Sequence, residues 1–284
     1  PHAKPPAPVL AAVSDTGESN SDGITRLTSL TLQGAIGSVE AYAVVYARSN
    51  VSGSLAQTTA SADGSWSLNV SGLAQLEISA TDVAGNVSVY SDSLTVVIDT
   101  TAPTLGGVTF DQASVTAANQ TAISMSLAGA EPGAKASYSI TSSNGGTAVT
   151  AAGLAVSSAT QQFTGIDVSG LNDGTLTVSM TLVDLAGNTS VTATNTISKD
   201  ANAPAVTAIS ITSGHYVEGD TISISVTLDE DVIVSGSNST LAINIGGVTR
   251  QATFVSENAG VLLYQYTVQA NDNTDGVGVT ALAN

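Results

Sequence analysis

Cysteine is absent from this chain, and basic residues are few: six Lys and Arg stand against 23 Asp and Glu, a formal charge of −17 over 284 residues. Without cysteine there are no disulfides, thiolate metal sites or cysteine nucleophiles. The acidity makes nucleic acid and anionic membrane surfaces poor partners and cations the natural ones. Histidine occurs only at His2 and His215, and no H-E-x-x-H, G-x-S-x-G or phosphate-loop pattern is present. Asp229 and Asp231 sit in one turn and do not supply the two facing walls that a paired-carboxylate glycosidase needs. A non-enzymatic chain is therefore expected. No apolar run reaches membrane-spanning length, so no membrane insertion is expected. Pro1–Pro8 lacks the apolar stretch of a signal peptide and reads as an internal piece of a longer chain. Aromatics are scarce at 4%, and helical periodicity is missing throughout.

Hydrophobic residues make up 42% and charged ones only 10%, enough apolar surface for folded cores and too little charge for a disordered chain. Thr, Ser, Val, Ala and Gly dominate, the mixture of strands that alternate small apolar residues with hydroxyls. The chain also repeats itself. Val70-Ser-Gly-Leu73, Asp82-Val-Ala-Gly-Asn86 and Asp99-Thr-Thr-Ala-Pro103 return as Val168-Ser-Gly-Leu171, Asp184-Leu-Ala-Gly-Asn188 and Asp200-Ala-Asn-Ala-Pro204. A period of about a hundred residues means whole domains in tandem.

Within the first repeat, period-two alternation marks strands at Leu30 and Leu32, over Val39–Ala47, at Trp66, Leu68 and Val70, at Leu76, Ile78 and Ala80, and at Leu94, Val96 and Ile98. With a first strand near Val9–Val13 and a partner before Asp63-Gly64, about seven strands result, which predicts an immunoglobulin-like sandwich. The second repeat follows the same grammar through Ile123, Met125 and Leu127, Tyr138 and Ile140, and Leu176 to Leu182. The third alternates at Ile222–Leu228, Leu241–Ile245 and Leu262–Val268, but produces neither the D-x-A-G-N turn nor the Asp-x-x-Ala-Pro joint. The expectation is an all-β chain of tandem immunoglobulin-like β-sandwiches arranged end to end as an extended rod: sandwich 1 over 1–100, sandwich 2 over 101–202, and sandwich 3 over 203–284, of a different subtype and possibly lacking its final strand.

Strand order places acids at the joints. The turn between a sandwich's first two strands lies at the end opposite its entry, and the turn before its last strand lies at the entry end. Asp15, Glu18 and Asp22, the joint Asp99, and the Asp184–Asn188 turn should therefore meet at junction 1. Oxygen ligands from flexible turns suit Ca²⁺, which takes six to eight of them at about 2.3–2.6 Å. A weaker junction 2 would collect Asp111, Asp173, Asp200, Asp229 and Asp231, because the first turn of the second repeat, around Ala117–Gln120, lacks the acids of the first. Plainer readings stand beside these. Asp63-Gly64 is a hairpin turn, Asp82 and Asp184 fold their own turns through Asx hydrogen bonds, and Asp15 with Asp22 forms only a solvated loop. Asp272, Asn273 and Asp275 either bind calcium or merely turn the chain. Trp66 shares the phase of Leu68 and Val70, which places it in the core.

The stretch Ser14-Asp-Thr-Gly-Glu-Ser-Asn-Ser-Asp-Gly-Ile-Thr25, Ala62-Asp-Gly-Ser-Trp66, both D-x-A-G-N turns and both Asp-x-x-Ala-Pro joints resemble the bacterial immunoglobulin-like repeats of giant, type-I-secreted surface adhesins of Gram-negative bacteria, the repeats-in-toxin class. Gly214-His-Tyr-Val-Glu-Gly-Asp-Thr-Ile222 extends the likeness into the third repeat. The resemblance implies an extracellular, cell-surface extender in adhesion or biofilm. Calcium at the domain junctions would stiffen it, neighbouring repeats of the parent chain would be its partners, and a host-cell, glycan or biofilm ligand would be bound elsewhere on the parent. The alternative is a stalk carrying a terminal glycan- or protein-binding module in sandwich 3.

Overall fold

The computed structural model describes residues 3–49, 53–71, 75–235, 238–272 and 280–281. Leu73 of the first repeated motif and Asn273 and Asp275 of the last acidic turn lie outside the described residues. Every regular element among them is a strand, and none of their segments is a helix long and apolar enough to cross a membrane. Two compact units result, Pro1–Ala201 and Asn202–Asn284.

The first unit holds two sandwiches with separate cores. The N-terminal one comprises β1 (Val9–Leu10), β2 (Ile24–Thr25), β3 (Ser29–Gly34), β4 (Val44–Ser49), β5 (Gly53–Thr59), β6 (Trp66–Ser71), β7 (Gln75–Thr81), β8 (Leu94–Thr95) and β9 (Val97–Ile98). Its sheets are β1-β3-β6 and β5-β4-β7-β8, with β2 and β9 as a parallel pair. Leu30 faces Val70 and Leu32 faces Leu68 across β3 and β6. Together with Val45, Leu76 and Ile78 from the other sheet they close a buried core. The alternation of Trp66, Leu68 and Val70 with Ser67 and Asn69 sends each apolar side chain inward and each polar one to water. Trp66 is buried as its phase requires.

Two details differ from the pattern in the sequence. The expected strand over Val39–Ala47 starts only at Val44. Before it, Ala43 N–H bonds back to Glu40 O and Tyr42 takes a positive φ of 63°, a turn geometry that breaks the ladder. The last alternating run divides into β8, paired with β7, and β9, paired with β2, because its chain crosses from one partner to the other at Val96.

The second sandwich comprises β10 (Gly107–Phe110), β11 (Ile123–Ala128), β12 (Lys135–Ser142), β13 (Val149–Ala155), β14 (Gln162–Ile166), β15 (Gly174–Val183) and β16 (Ala193–Lys199). Its sheets are β10-β11-β14 and β13-β12-β15-β16. Leu176, Val178, Met180 and Leu182 of β15 point into one continuous core with Ile123, Met125 and Leu127 of β11. A parallel bridge from Val115 to Lys199 stands where β2 meets β9 in the first sandwich. The side chain of Lys199 is buried, donating to Leu171 O at 2.8 Å and to Asp173 Oδ1 at 2.9 Å.

In the second unit, β17 (Val206–Ile211), β18 (Thr221–Leu228), β19 (Thr240–Ile245), β20 (Val248–Asn258), β21 (Val261–Thr267) and β22 (Thr280–Ala281) pair into one six-stranded antiparallel sheet, order β17-β18-β21-β20-β19-β22. Ile222 and Ile224 of β18 share a core with Ile243 and Ile245 of β19, although two strands lie between them in the sheet. The sheet therefore curls round its own core instead of forming two separately bonded sheets, and a register shift between Phe254 and Ser256 lies on the intervening β20. Tyr264 and Tyr266 point inward, in phase with Leu262 and Val268.

Candidate cation site at the first joint

In the first unit, the long excursion between β1 and β2 leaves the sandwich and meets the turn between β15 and β16. Thr16 Oγ1 donates to Ala186 O at 2.8 Å, Glu18 N–H reaches Leu185 O at 3.4 Å, and Lys135 Nζ pairs with the Glu18 carboxylate. The joint is tied in from the other side: Asn188 Nδ2 donates to Asp99 O at 2.8 Å, and Asp99 N–H donates to Thr25 O at 2.9 Å. The three segments expected at junction 1 are thus in contact. Gly17 permits the approach, since a Cβ there would lie 2.0 Å from Leu185 O, and its φ of +104° is one that side-chain-bearing residues rarely take. A cleft of about 410 Å³ runs along the contact, lined by Thr16, Gly17, Glu18, Lys135 and Asp184 among others.

The acids there differ in how they are used. Asp184 is buried and spends both oxygens inside its own turn, accepting Asn188 N–H on Oδ1 and Asn188 Nδ2 on Oδ2, each at 2.8 Å. Glu18 is engaged by Lys135. Asp22 is exposed and closes an Asx turn with Ile24 N–H at 2.9 Å, while Asp99 Oδ1 accepts Thr101 N–H at 2.9 Å. Asp15 is the exception. It is 5% exposed, its Oδ2 accepts Gly23 N–H at 3.0 Å, and its fully shielded Oδ1 has no hydrogen-bond partner. An unsatisfied buried carboxylate oxygen is costly, and a bound cation is one group that satisfies it.

Among the described residues no three His, Cys, Asp or Glu side chains converge into a metal cage. A cation at Asp15 would therefore draw on backbone carbonyls as well as on carboxylates, a mixture that calcium accepts.

The acids named for the second joint lie apart in their roles. Burial works to raise the Asp111 carboxyl, but hydrogen bonds from Ser124, Gln162 and Ser126 outweigh it and hold the group below its usual range; Gln162 Nε2 sits 2.8 Å from Asp111 Oδ2. Asp173 is paired with Lys199, and Asp200 follows that lysine, its N–H bonded to Val115 O at 2.8 Å. In the turn around Ala117–Gln120, Asn119 folds the chain through Thr116 N–H and Ser114 O. Within the second unit, Asp229 Oδ1 accepts Ala205 N–H at 2.8 Å while its own N–H returns to Ala205 O, and Asp231 is exposed.

Three further acids act as turn builders. Asp63 accepts Ser65 Oγ and N–H, which lower its carboxyl below the usual range, and Gly64 takes a φ of +77°. Asp82 accepts both donors of Asn86. Asp272 is enclosed by Tyr266 O–H at 2.6 Å, Arg250 Nε at 2.7 Å and Gln269 N–H at 2.7 Å. Its burial and the bond to Asp272 push the Tyr266 hydroxyl up to about 12. Thr16, Gly17, Lys135 and Asn188 make the first joint without having been singled out as site residues. Thr16, Gly17 and Asn188 lie inside the repeat motifs, but nothing local to Lys135 signals its cross-joint partner.

Residues 2–100 match the family model of a bacterial Ig-like domain. No curated protein matches the chain. Among solved structures, a tetra-tandem repeat from the extending region of a large adhesion protein is 25% identical over 97% of this chain and 65% of its own, with a TM-score of 0.35. The chain thus spans less than two thirds of that structure. A second structure, from work on host cell surface retention of a 1.5-MDa bacterial ice-binding adhesin, is 21% identical over 94% of this chain and 88% of its own, with a TM-score of 0.36. The human OSCAR ligand-binding domain is 12% identical over 69% of this chain and 100% of its own, with a TM-score of 0.31.

Proposed function

We propose that this chain is an extender segment of a bacterial cell-surface adhesin, an extracellular structural element in which Ca²⁺ at the first joint fixes one sandwich against the next. The observation that carries the calcium reading is the buried, unpartnered Oδ1 of Asp15 beside an interdomain contact. Asp15 would be the anchoring ligand, with Asp22 and Asp99 within a few residues of the groups that bond Asp15 and Thr25. Bound there, calcium would neutralise the acids of the first sandwich and its joint and so stiffen the Asp15–Glu18 segment that seats on the Asp184–Asn188 turn. The chain's own residues do the rest: Thr16 and Asn188 hold the turn of the second sandwich in place, and Lys135 neutralises Glu18. The extender reading is supported by the internal tandem repeat and by the family match over residues 2–100.

Calorimetric titration with calcium of the full chain and of Asp15→Asn tests this. The substitution keeps the shape and an acceptor for Gly23 N–H while removing the charge. A loss of at least tenfold in calcium affinity at one site is expected; equal affinity in the two proteins would refute Asp15 as the anchor.

A further inference from the structure

The turn that docks in the second sandwich has a twin in the first. Asn86 N–H and Nδ2 reach Asp82 Oδ1 and Oδ2 at 2.8 and 2.9 Å, as Asn188 does on Asp184. Gly85 and Gly187 take φ values of +87° and +89°. Antiparallel bridges Thr81–Val87 and Val183–Thr189 close the two turns, and Ser88 and Ser190 accept Ala80 and Leu182 N–H at 3.0 and 2.9 Å. The backbone and its internal bonds are the same.

Their surroundings are not. Ala186 is 1% exposed beneath Thr16 and Gly17, whereas Ala84, its counterpart, is exposed. A Cβ on Gly187 would lie 3.0 Å from Gly17 Cα, but one on Gly85 would meet nothing within 4 Å. Asn188 Nδ2 divides its hydrogens between Asp184 and Asp99 O, while Asn86 Nδ2 has only Asp82 among the described residues. At the rim of the uncovered turn Val83 is 83% exposed, against 46% for its counterpart Leu185 beside the docked segment.

We infer that the Asp82–Asn86 end of the first sandwich is a docking face for the Asp-Thr-Gly end of another sandwich of this type, seated as Asp15–Glu18 seats on Asp184–Asn188. This chain's own Asp15–Glu18 segment is already occupied within the first unit, so the occupant is a separate sandwich carrying that segment, with a backbone carbonyl at its joint for Asn86 Nδ2. The ion pair at the rim is not repeated. Val44 pairs with Thr81 where Lys135 pairs with Val183, so the occupant needs no acid at the Glu18 position. The inference deepens the extender reading and rests on it for the existence of such a neighbour, and its test is made in millimolar calcium.

The test uses the full chain with a further copy of residues 1–103 replacing Pro1–Pro8, so that Ala102-Pro103 leads into Val9 as it leads into Thr104. Spin labels go on cysteines introduced at the two Gln57 positions, and in the unextended chain at Gln57 and Ala152, the matching place on β13; the native chain has no cysteine to interfere. The expected result is the same narrow distance distribution in both proteins. Ala84→Arg should abolish the narrow peak in the extended protein and leave the unextended chain's distribution and melting temperature unchanged. A broad distribution in the extended protein beside a narrow one in the unextended chain would overturn the docking face while leaving the first joint intact. Broad distributions in both would overturn the docking geometry itself and the extender reading with it.

Discussion

Gly17→Ala is expected to separate the first sandwich from the second while leaving both cores folded. The added Cβ would sit 2.0 Å from Leu185 O and 2.8 Å from the carbonyl carbon of Ala186, and both obstacles are backbone of a tightly bonded turn that cannot rotate away. The φ of +104° adds strain of about 1–2 kcal/mol for any residue with a Cβ. Undocking would then forfeit the Thr16 and Asn188 hydrogen bonds, each worth about 1 kcal/mol net. The matched control is Gly85→Ala, which carries the same kind of positive φ with nothing within 4 Å and so isolates backbone strain from collision. Limited proteolysis of the Asp99–Pro103 joint reads the outcome: cleavage at least tenfold faster in Gly17→Ala and unchanged in Gly85→Ala. Equal rates in both variants would mean that Gly17 is not a contact residue.

Lys199→Ala should be the most damaging single polar substitution in the second sandwich, lowering its stability by about 2–3 kcal/mol. The ammonium group is buried, 4% exposed, and bonds both Leu171 O and Asp173. Its loss leaves a shielded carbonyl and a carboxylate without their donor, while the 23% exposure of Asp173 lets water recover part of the cost. Lys199→Met keeps the apolar stem and should lose less. For a domain of about a hundred residues each kcal/mol moves the melting temperature by about 4–8 °C, so a drop of about 10–20 °C is expected by calorimetry. A drop of under about 3 °C would show the lysine to be dispensable.

The strands were legible because burial on one face writes itself as period two: Trp66, Leu68 and Val70, or Leu176 to Leu182, can be read inward without coordinates. The joint was legible for a different reason. The repeat fixed which turns lie at which end of each sandwich, and Thr16 and the Asp99 carbonyl each bond the Asp184–Asn188 turn. What the pattern hid were interactions that depend on exact backbone path. Tyr42 turns the chain where alternation continued. Asp184 closes its own loop and leaves the cross-joint bond to Asn188, because the amide can donate where a carboxylate cannot. Lys135 and Glu18 lie far apart in sequence and meet only through tertiary packing. The curled sheet of β17 to β22 alternates like a sandwich strand by strand, since periodicity reports a buried face and not which strand bonds which.

Calcium as the proposed lock of the first joint is tested most directly by the distance distribution between spin labels at Gln57 and Ala152 of the otherwise unaltered chain, recorded in millimolar calcium and again after chelation. A single narrow peak with calcium that broadens or splits without it is the predicted result. The same narrow peak in both conditions would contradict calcium as the lock and leave the joint to Thr16, Gly17 and Asn188 alone.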